Sequence, residues 1–436
     1  MKNLFELVVN KSKVCGNFNI LMKEAQNEPA RYMMNEVYKT YEDKDGNFIE
    51  QLQTTGFNAR ILELYLQAVL YNNEFKITKY DRPDFIVEKN GIEIAIEATT
   101  SNESSKIKNK DVANLNSDEL KEIFDSEIPI RLGSALFTKL KKEYWKLPQC
   151  KNIPFVIVIE NFSTPYSLSC SSSSIARYLY GMKEEFNFNE YGDLKVDFHK
   201  INTHKIKEKE IPSGFFNQSD TEKISAIIFT NSATVAKFNR MGYLRGYFSN
   251  DIIMIREGTC YNFSPNAVEP NVFKYRLNPR DTELWGEGLE IFYNPNAEIP
   301  LKRGILPGND NYIKGGKLYT YINNEFSPFS SKTVVTITDY EFNYDNKKII
   351  KITFFEFNES LDLNEIRKKL KMIREIAWFK TINNRFKICI SQDLNDNDYG
   401  FAILDNNRYL CSDLNFSTPD KAFNKMINVL VELNEY

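Results

Sequence analysis

The chain has 436 residues, of which 42% are hydrophobic and 14% aromatic, so packed cores rather than disorder are expected over most of its length. Its formal net charge of −3 excludes a protein that coats nucleic acid by bulk charge; any contact with DNA or RNA has to come from a local patch. Six cysteines without CxxC spacing and only two histidines, His199 and His204, exclude the usual zinc sites and starve a Ser/His or Cys/His nucleophile of its base.

Residues 1–54 read as a helical segment, with short helices in FELVVNKSK and ARYMMNEVYKTY and a turn at YEDKDGNF. The opening MKNLFELVVNKSK lacks the apolar core of a signal peptide, and no stretch approaches the ~20 apolar residues of a bilayer span. The expectation is a cytoplasmic protein with no membrane partner. A longer helix is predicted from Ala59 to Tyr71 and a strand around Phe75–Tyr80. Two β-rich runs, PDFIVEK and IEIAIEATTSN, then flank Asn90-Gly91, the strongest short hairpin signal. A Ser/Asn/Lys-rich loop is expected over 101–127. Residues 131–147 read as a helix with Leu136, Phe137, Leu140, Tyr144 and Leu147 on one stripe, stopped by Pro148. IPFVIVIE at 153–160 is the continuous apolar run of a strand buried on both faces.

Residues 161–320 read as an extension of this α/β core. They hold a helical patch within 164–180, a second buried strand at 224–231, a helix around 232–240 and a strand at 251–258. The Asn-, Pro- and Gly-rich stretch 261–310 is expected to wrap the surface. The basic runs Lys139–Lys146 and His199–Lys209 read as a solvated helix face and a charged loop. From 325 to 436 the pattern becomes ββαββα, with helices at 362–378 and 419–434, enough for a small α+β domain. The fold class is therefore α/β, with a core at 55–160, its extension, and a C-terminal domain that would bind a target, a partner or a second copy in a homodimer.

The hairpin carries the chemistry. With Asn90-Gly91 as its loop, Lys89 pairs with Ile92, and counting back places Asp84 opposite Glu97. Phe85, Val87, Ile94 and Ile96 share one face; Asp84, Ile86, Glu88, Glu93, Ala95, Glu97 and Thr99 share the other. Directly opposed residues have Cβ atoms ~4.5–5.5 Å apart, so two carboxylates there repel unless something compensates. A hard divalent cation such as Mg²⁺ is one compensator. A solvated face is the other, and it suffices for Glu88 and Glu93 near the turn.

Pro83-Asp84 opening one strand, with Glu97 on the next, resembles the PD-(D/E)xK nuclease superfamily. The resemblance covers about 55–160, a quarter of the chain. It implies a restriction-endonuclease-like αβββαβ core with a mixed sheet. It also implies Mg²⁺ or Mn²⁺ held by Glu63, Asp84 and Glu97, and nuclease activity in restriction, repair or genome defence, on DNA ahead of RNA. The chain departs from the pattern at Thr99, where the family's lysine should stand. Some members supply that lysine from the following helix, which nominates Lys139 as the third catalytic group beside Asp84 and Glu97. Lys139 also fits a plain surface lysine, Glu63 an i,i+3 partner of Arg60, and Asp81 is a substitute for Asp84 across a proline. Thr99 and the net charge favour a rival, a catalytically inactive nuclease-fold module for binding or assembly. A second rival places a centre within 160–300, at the strand ends Glu160-Asn161 and Thr230-Asn231, with Trp285 and Tyr293 available to stack on bases.

Overall fold

The computed structural model describes residues 3–79, 81–102, 117–162, 172–247, 252–324 and 326–337, together with 353–355, 377–380, 386–392, 399–405, 408–418 and a few helical positions between 421 and 429. The chain divides into two units, 1–248 with 253–336, and 249–252 with 337–436.

The first unit opens with four helices, α1 (Gly16–Lys23), α2 (Glu28–Tyr38), α3 (Phe48–Gln53) and α4 (Phe57–Asn72). The expected helix at 5–13 is only a 3-10 turn at Lys11–Lys13, because the Asn10 side chain accepts the Ser12 N–H and closes a tight local turn. Strands β1 (Lys76–Lys79), β2 (Phe85–Lys89) and β3 (Ile92–Asn102) follow as an antiparallel meander. Asn90 and Gly91 both take positive φ, 54° and 75°, as the tightest hairpin turn demands. The register is the expected one, with Lys89 against Ile92 and Phe85 against Ile96.

Next come α5 (Ser117–Glu122), a short π-helical turn and α6 (Ile128–Leu140). Residues 117–127 are thus helical where a loop is expected, and 103–116 lie outside the described residues. Helix α6 ends seven residues early. Glu143 takes φ 51°, and Tyr144 and Leu147 fall in and after a 3-10 turn instead of continuing the stripe. Strand β4 (Phe155–Phe162) then runs parallel to β3.

Helix α7 (Ser173–Tyr180) precedes two hairpins, β5 (Met182–Phe188) with β6 (Leu194–Lys200), and β7 (Thr203–Ile206) with β8 (Lys209–Pro212). The run His199–Lys209 is therefore largely strand rather than loop, joining the end of β6, all of β7 and the start of β8 through short connections at 201–202 and 207–208. Strand β9 (Ala226–Thr230), helix α8 (Val235–Leu244), and strands β10 (Ile252–Cys260), β11 (Asn271–Arg276), β12 (Glu290–Tyr293), β13 (Asn309–Lys314), β14 (Lys317–Tyr321) and β15 (Pro328–Ile337) complete the unit.

Eight strands form one mixed sheet, in the order β1-β2-β3-β4-β9-β12-β13-β14. Phe85, Val87, Ile94, Ile96, Val156 and Val158 pack on one face with α4; Ile86, Ala95, Ile157 and Ile159 pack on the other with α6 and α7. The 261–310 stretch does not simply wrap the surface. Its residues 290–293 are β12, hydrogen-bonded to β9 on one side and β13 on the other, and all four are buried. Four residues between turn signals are too few for periodicity to reveal a strand. No helix of the described residues is long and apolar enough to cross a membrane.

Strand β15, expected in the C-terminal domain, instead joins β10 and β11 in a separate three-stranded sheet. The second unit holds β16 (Thr353–Phe355), β17 (Ala377–Lys380), β18 (Phe386–Gln392), β19 (Tyr399–Asp405) and β20 (Arg408–Phe416), in chain order in one sheet. The helix expected at 362–378 lies outside the described residues as far as 376; Ala377 and Trp378 belong to β17.

Candidate functional site

Asp84 sits one residue before β2, across from Glu97 in the register that β2 and β3 establish. The two acids are laced together through backbone. The Asp84 N–H donates to Glu97 Oε2 at 3.3 Å, and the Ala98 N–H donates to Asp84 Oδ2 at 2.7 Å. Hydrogen bonds from N–H groups stabilise carboxylate charge and partly offset the repulsion between the pair. Glu97 is 5% exposed, while Asp84 is half-buried.

Lys139, one residue before the end of α6, completes the group. Its Nζ lies 2.5 Å from Glu97 Oε1. Burial lowers the pKa of this ammonium, but Glu97, and behind it Asp84 and Tyr144, more than offset that and raise it above the ordinary lysine value. Lys139 is therefore a fixed positive charge at neutral pH. The Cys150 thiol, buried and within the field of Glu97, is pushed up to about 11, so it is no thiolate nucleophile. Thr99, two residues beyond Glu97, is half-buried on the same side of β3 by alternation.

Glu63, the third acid that the resemblance implies, is engaged by Arg60 and Tyr41. Arg60 Nη1 donates to both its oxygens at 2.8 Å, and the Tyr41 hydroxyl donates to Oε2 at 2.6 Å. Burial, and then the Glu63 carboxylate, raise the Tyr41 pKa far above the ordinary phenol value; Asp84 adds to that rise, which places it within electrostatic reach of the Tyr41–Arg60–Glu63 triad. Among the described residues no three His, Cys, Asp or Glu side chains converge as a ligand set. The group that forms is two carboxylates and an ammonium, with Glu63 behind it. The i,i+3 signal identified Arg60 as its partner; Tyr41, 22 residues away in sequence, left no local signal. Asp81 is 72% exposed beside Arg82 and takes no part. Glu88 and Glu93 face each other as expected, and Glu88 Oε1 is satisfied by the Gly91 N–H.

The strand ends at 160–161 and 230–231 do not extend the site. Glu160 is fully buried beside Thr100 and Thr230, on the α4 face with Val156 and Val158 and away from Glu97. Among the described residues neither of its oxygens has a hydrogen-bond partner of good geometry. Burial pushes its pKa well above the carboxylate range, and the nearby Ala233 N–H opposes this only weakly. Trp285 and Tyr293 are core residues, 3% and 7% exposed, and offer no stacking platform to bases. Trp285 packs edge-on against Tyr65 and Phe238, and the Tyr293 hydroxyl donates to Asp310.

Comparison of the chain with protein-family models, with curated proteins and with solved structures finds no match.

Proposed function

We propose that the chain is a divalent-metal-dependent nuclease of the PD-(D/E)xK kind, hydrolysing phosphodiester bonds in DNA ahead of RNA. The observation that carries this reading is the Lys139 ammonium resting on Glu97 beside Asp84. A lysine is thereby delivered from the following helix to the acid whose own strand carries Thr99. The element order supports it as well: α4, the β1–β3 meander, α6, then β4 parallel to β3.

Asp84 and Glu97 supply hard oxygen donors of the type Mg²⁺ and Mn²⁺ prefer, and an ion held by one or two carboxylates keeps several waters and room for a phosphate. Such an ion supplies Lewis acidity and a water of lowered pKa. Lys139 brings a permanent positive charge to the place where negative charge grows on the phosphoryl oxygens. Glu63 holds Arg60 and Tyr41 in place, within the electrostatic reach of Asp84.

The test is incubation of the wild type with supercoiled DNA, linear DNA and RNA in Mn²⁺ or Mg²⁺, beside Glu97→Ala and Lys139→Ala. Metal-dependent cleavage lost in both variants is the expected result. A wild type inert on all three substrates sinks the proposal.

One feature favours the inactive binding module instead: Glu97 is already neutralised by Lys139 without any ion. That reading expects Mn²⁺ to leave the Tm unchanged. The nuclease reading expects a rise that Asp84→Ala and Glu97→Ala both abolish.

A further inference from the structure

We propose that the border of the Asp84–Glu97 pair, made by the loop before Asp84 and the segment after α6, grips the phosphate backbone of double-stranded nucleic acid without reading bases. The inference rests on the nuclease reading for its biological sense, but not for its measurement.

Two stretches distant in sequence meet here. The Arg82 guanidinium lies over the Tyr144 ring, 5.8 Å from its centroid, and the Gln149 side-chain amide donates to the Arg82 carbonyl. Tyr144 is near enough to Lys139 to affect its ammonium, and Cys150 is near enough to Glu97 for that charge to raise its thiol. Loop and segment therefore form one continuous edge around the carboxylates.

That edge is rich in exposed cations. Arg82, Lys142, Lys146 and Lys151 are all exposed, and Lys141 adds a fifth charge over the Phe137 ring at the flank. Among the described residues of the loop and the segment, Asp81 and Glu143 are the acids that oppose them. The pairs they make, Arg82–Asp81 at 3.9 Å and Lys146–Glu143 at 2.8 Å, join side chains 45–72% exposed. Water and salt screen such pairs, which contribute little to stability. The fold gains little from this local surplus of positive charge, in a chain whose net charge is −3.

Phosphates on a duplex would gain from it by releasing condensed counterions, and every cation placed on a phosphate steepens the salt dependence of binding. The cations lie on a helix end and turns, and among the described residues of this edge no element is shaped to enter a groove. The expected contact is to backbone and indifferent to sequence.

The experiment uses the full chain in EDTA, so that binding is read without cleavage. Anisotropy of a short fluorescent DNA duplex is followed across a salt series for the wild type, for Lys142→Ala/Lys146→Ala/Lys151→Ala, and for a charge-matched control, Lys195→Ala/Lys205→Ala/Lys317→Ala, whose lysines are exposed elsewhere in the first unit. The first triple is expected to weaken binding about 10- to 100-fold near 0.1 M salt and to reduce the slope of log K against log salt by about 2–3. The control is expected to change neither.

Equal losses in the two triples overturn the surface, as does a slope unchanged by the first. So does a wild type that fails to bind the duplex at low salt, or that binds phosphatidylserine vesicles through these lysines and duplex not at all. The nuclease reading is judged separately, by adding Mn²⁺. Cleavage without loss of binding in the first triple removes the surface and leaves the enzyme; binding through the surface without cleavage removes the enzyme and leaves the surface.

Discussion

Two clusters of charge in the first unit are built differently. Behind α8, Lys237, Arg240, Arg256, Glu283 and Glu287 are almost wholly out of water. Glu283 takes Lys237 Nζ at 2.5 Å and Arg240 Nη2 at 2.8 Å, and Glu287 takes Arg256 Nη1 at 3.1 Å. Burial alone would push the Glu283 pKa up, but its three cationic neighbours hold it below the usual range; burial brings the Lys237 ammonium down to about 8. At the head of β2, by contrast, Asp84 is half-buried and the Lys139 side chain is 24% exposed. The first cluster is closed, each charge held by others and sealed from solvent. The second is open: two carboxylates lie beside one ammonium, and Asp84 and Lys139 are partly exposed to solvent. Closed clusters fix a fold; open ones are free to exchange partners.

Removing one member of each should break or establish that contrast. Glu283→Ala leaves three cations buried without their shared counter-charge and is expected to cost about 3–5 kcal/mol of stability in urea unfolding. Glu97→Ala strands one lysine that can turn toward water, and is expected to cost no more than about 2 kcal/mol while ending cleavage. Equal losses of stability in the two variants would make Glu97 a structural keystone, and the contrast would fall.

Activity should divide along the same line. Lys139→Ala is expected to lower kcat by about 10²–10³, the usual cost of removing one group aimed at developing negative charge. Lys237→Met is expected to leave kcat per folded molecule unchanged and to shift only the unfolding midpoint. A fall in kcat for Lys237→Met, at a temperature where the variant is folded, would mean that the two clusters communicate.

What was legible follows from the range of the forces involved. The Asp84–Glu97 apposition could be read because an Asn-Gly turn and strict alternation fix register over a few residues. Lys139 could be nominated because the departure at Thr99 asked for a lysine elsewhere and α6 follows. Tyr41 and the closed cluster could not be read, since Lys237 meets Glu283 across 46 positions by tertiary packing alone. Strand β12 was hidden in turn-forming residues, and its burial comes from neighbours β9 and β13 that no local pattern reveals. Glu63 was half legible: its partner Arg60 was visible one helical turn away, and its partner Tyr41 was not.

A third kind of buried acid sharpens the contrast. Among the described residues, Glu290 is held by neutral amides, Asn309 at 2.9 Å and Asn311 at 2.7 Å. Burial outweighs these donors and raises its pKa to about 7. In the unfolded chain the value is about 4.3. Between those pH values the folded form binds more protons than the unfolded, so this group makes stability fall as pH rises through the window and level off above about 7. The effect is expected to be on the order of 3–4 kcal/mol, and Glu290→Gln should remove it. Urea midpoints at intervals across that window, for wild type and variant, measure the difference. Parallel curves would place the proton elsewhere, with Glu160 next in line because its pKa is raised in the same direction.

The smallest expected effect tests the open cluster most directly. Thr99 stands two residues past Glu97 on the same side of β3 and is half-buried, so a lysine there has room to reach water or to fold back onto the acid. In the Lys139→Ala background, Thr99→Lys is expected to recover about 10-fold of the lost kcat, because what the site needs is a positive charge near Glu97 and not a particular helix to carry it. In the wild-type background the same substitution sets two ammonium groups against one carboxylate. Their repulsion should leave the rate unchanged or slightly lower. Recovery in the first case without gain in the second would show that charge position governs the site. No recovery, in a double variant as stable as Lys139→Ala alone, would mean that Lys139 acts through the way α6 packs on β3, and the site would then resemble the closed cluster after all.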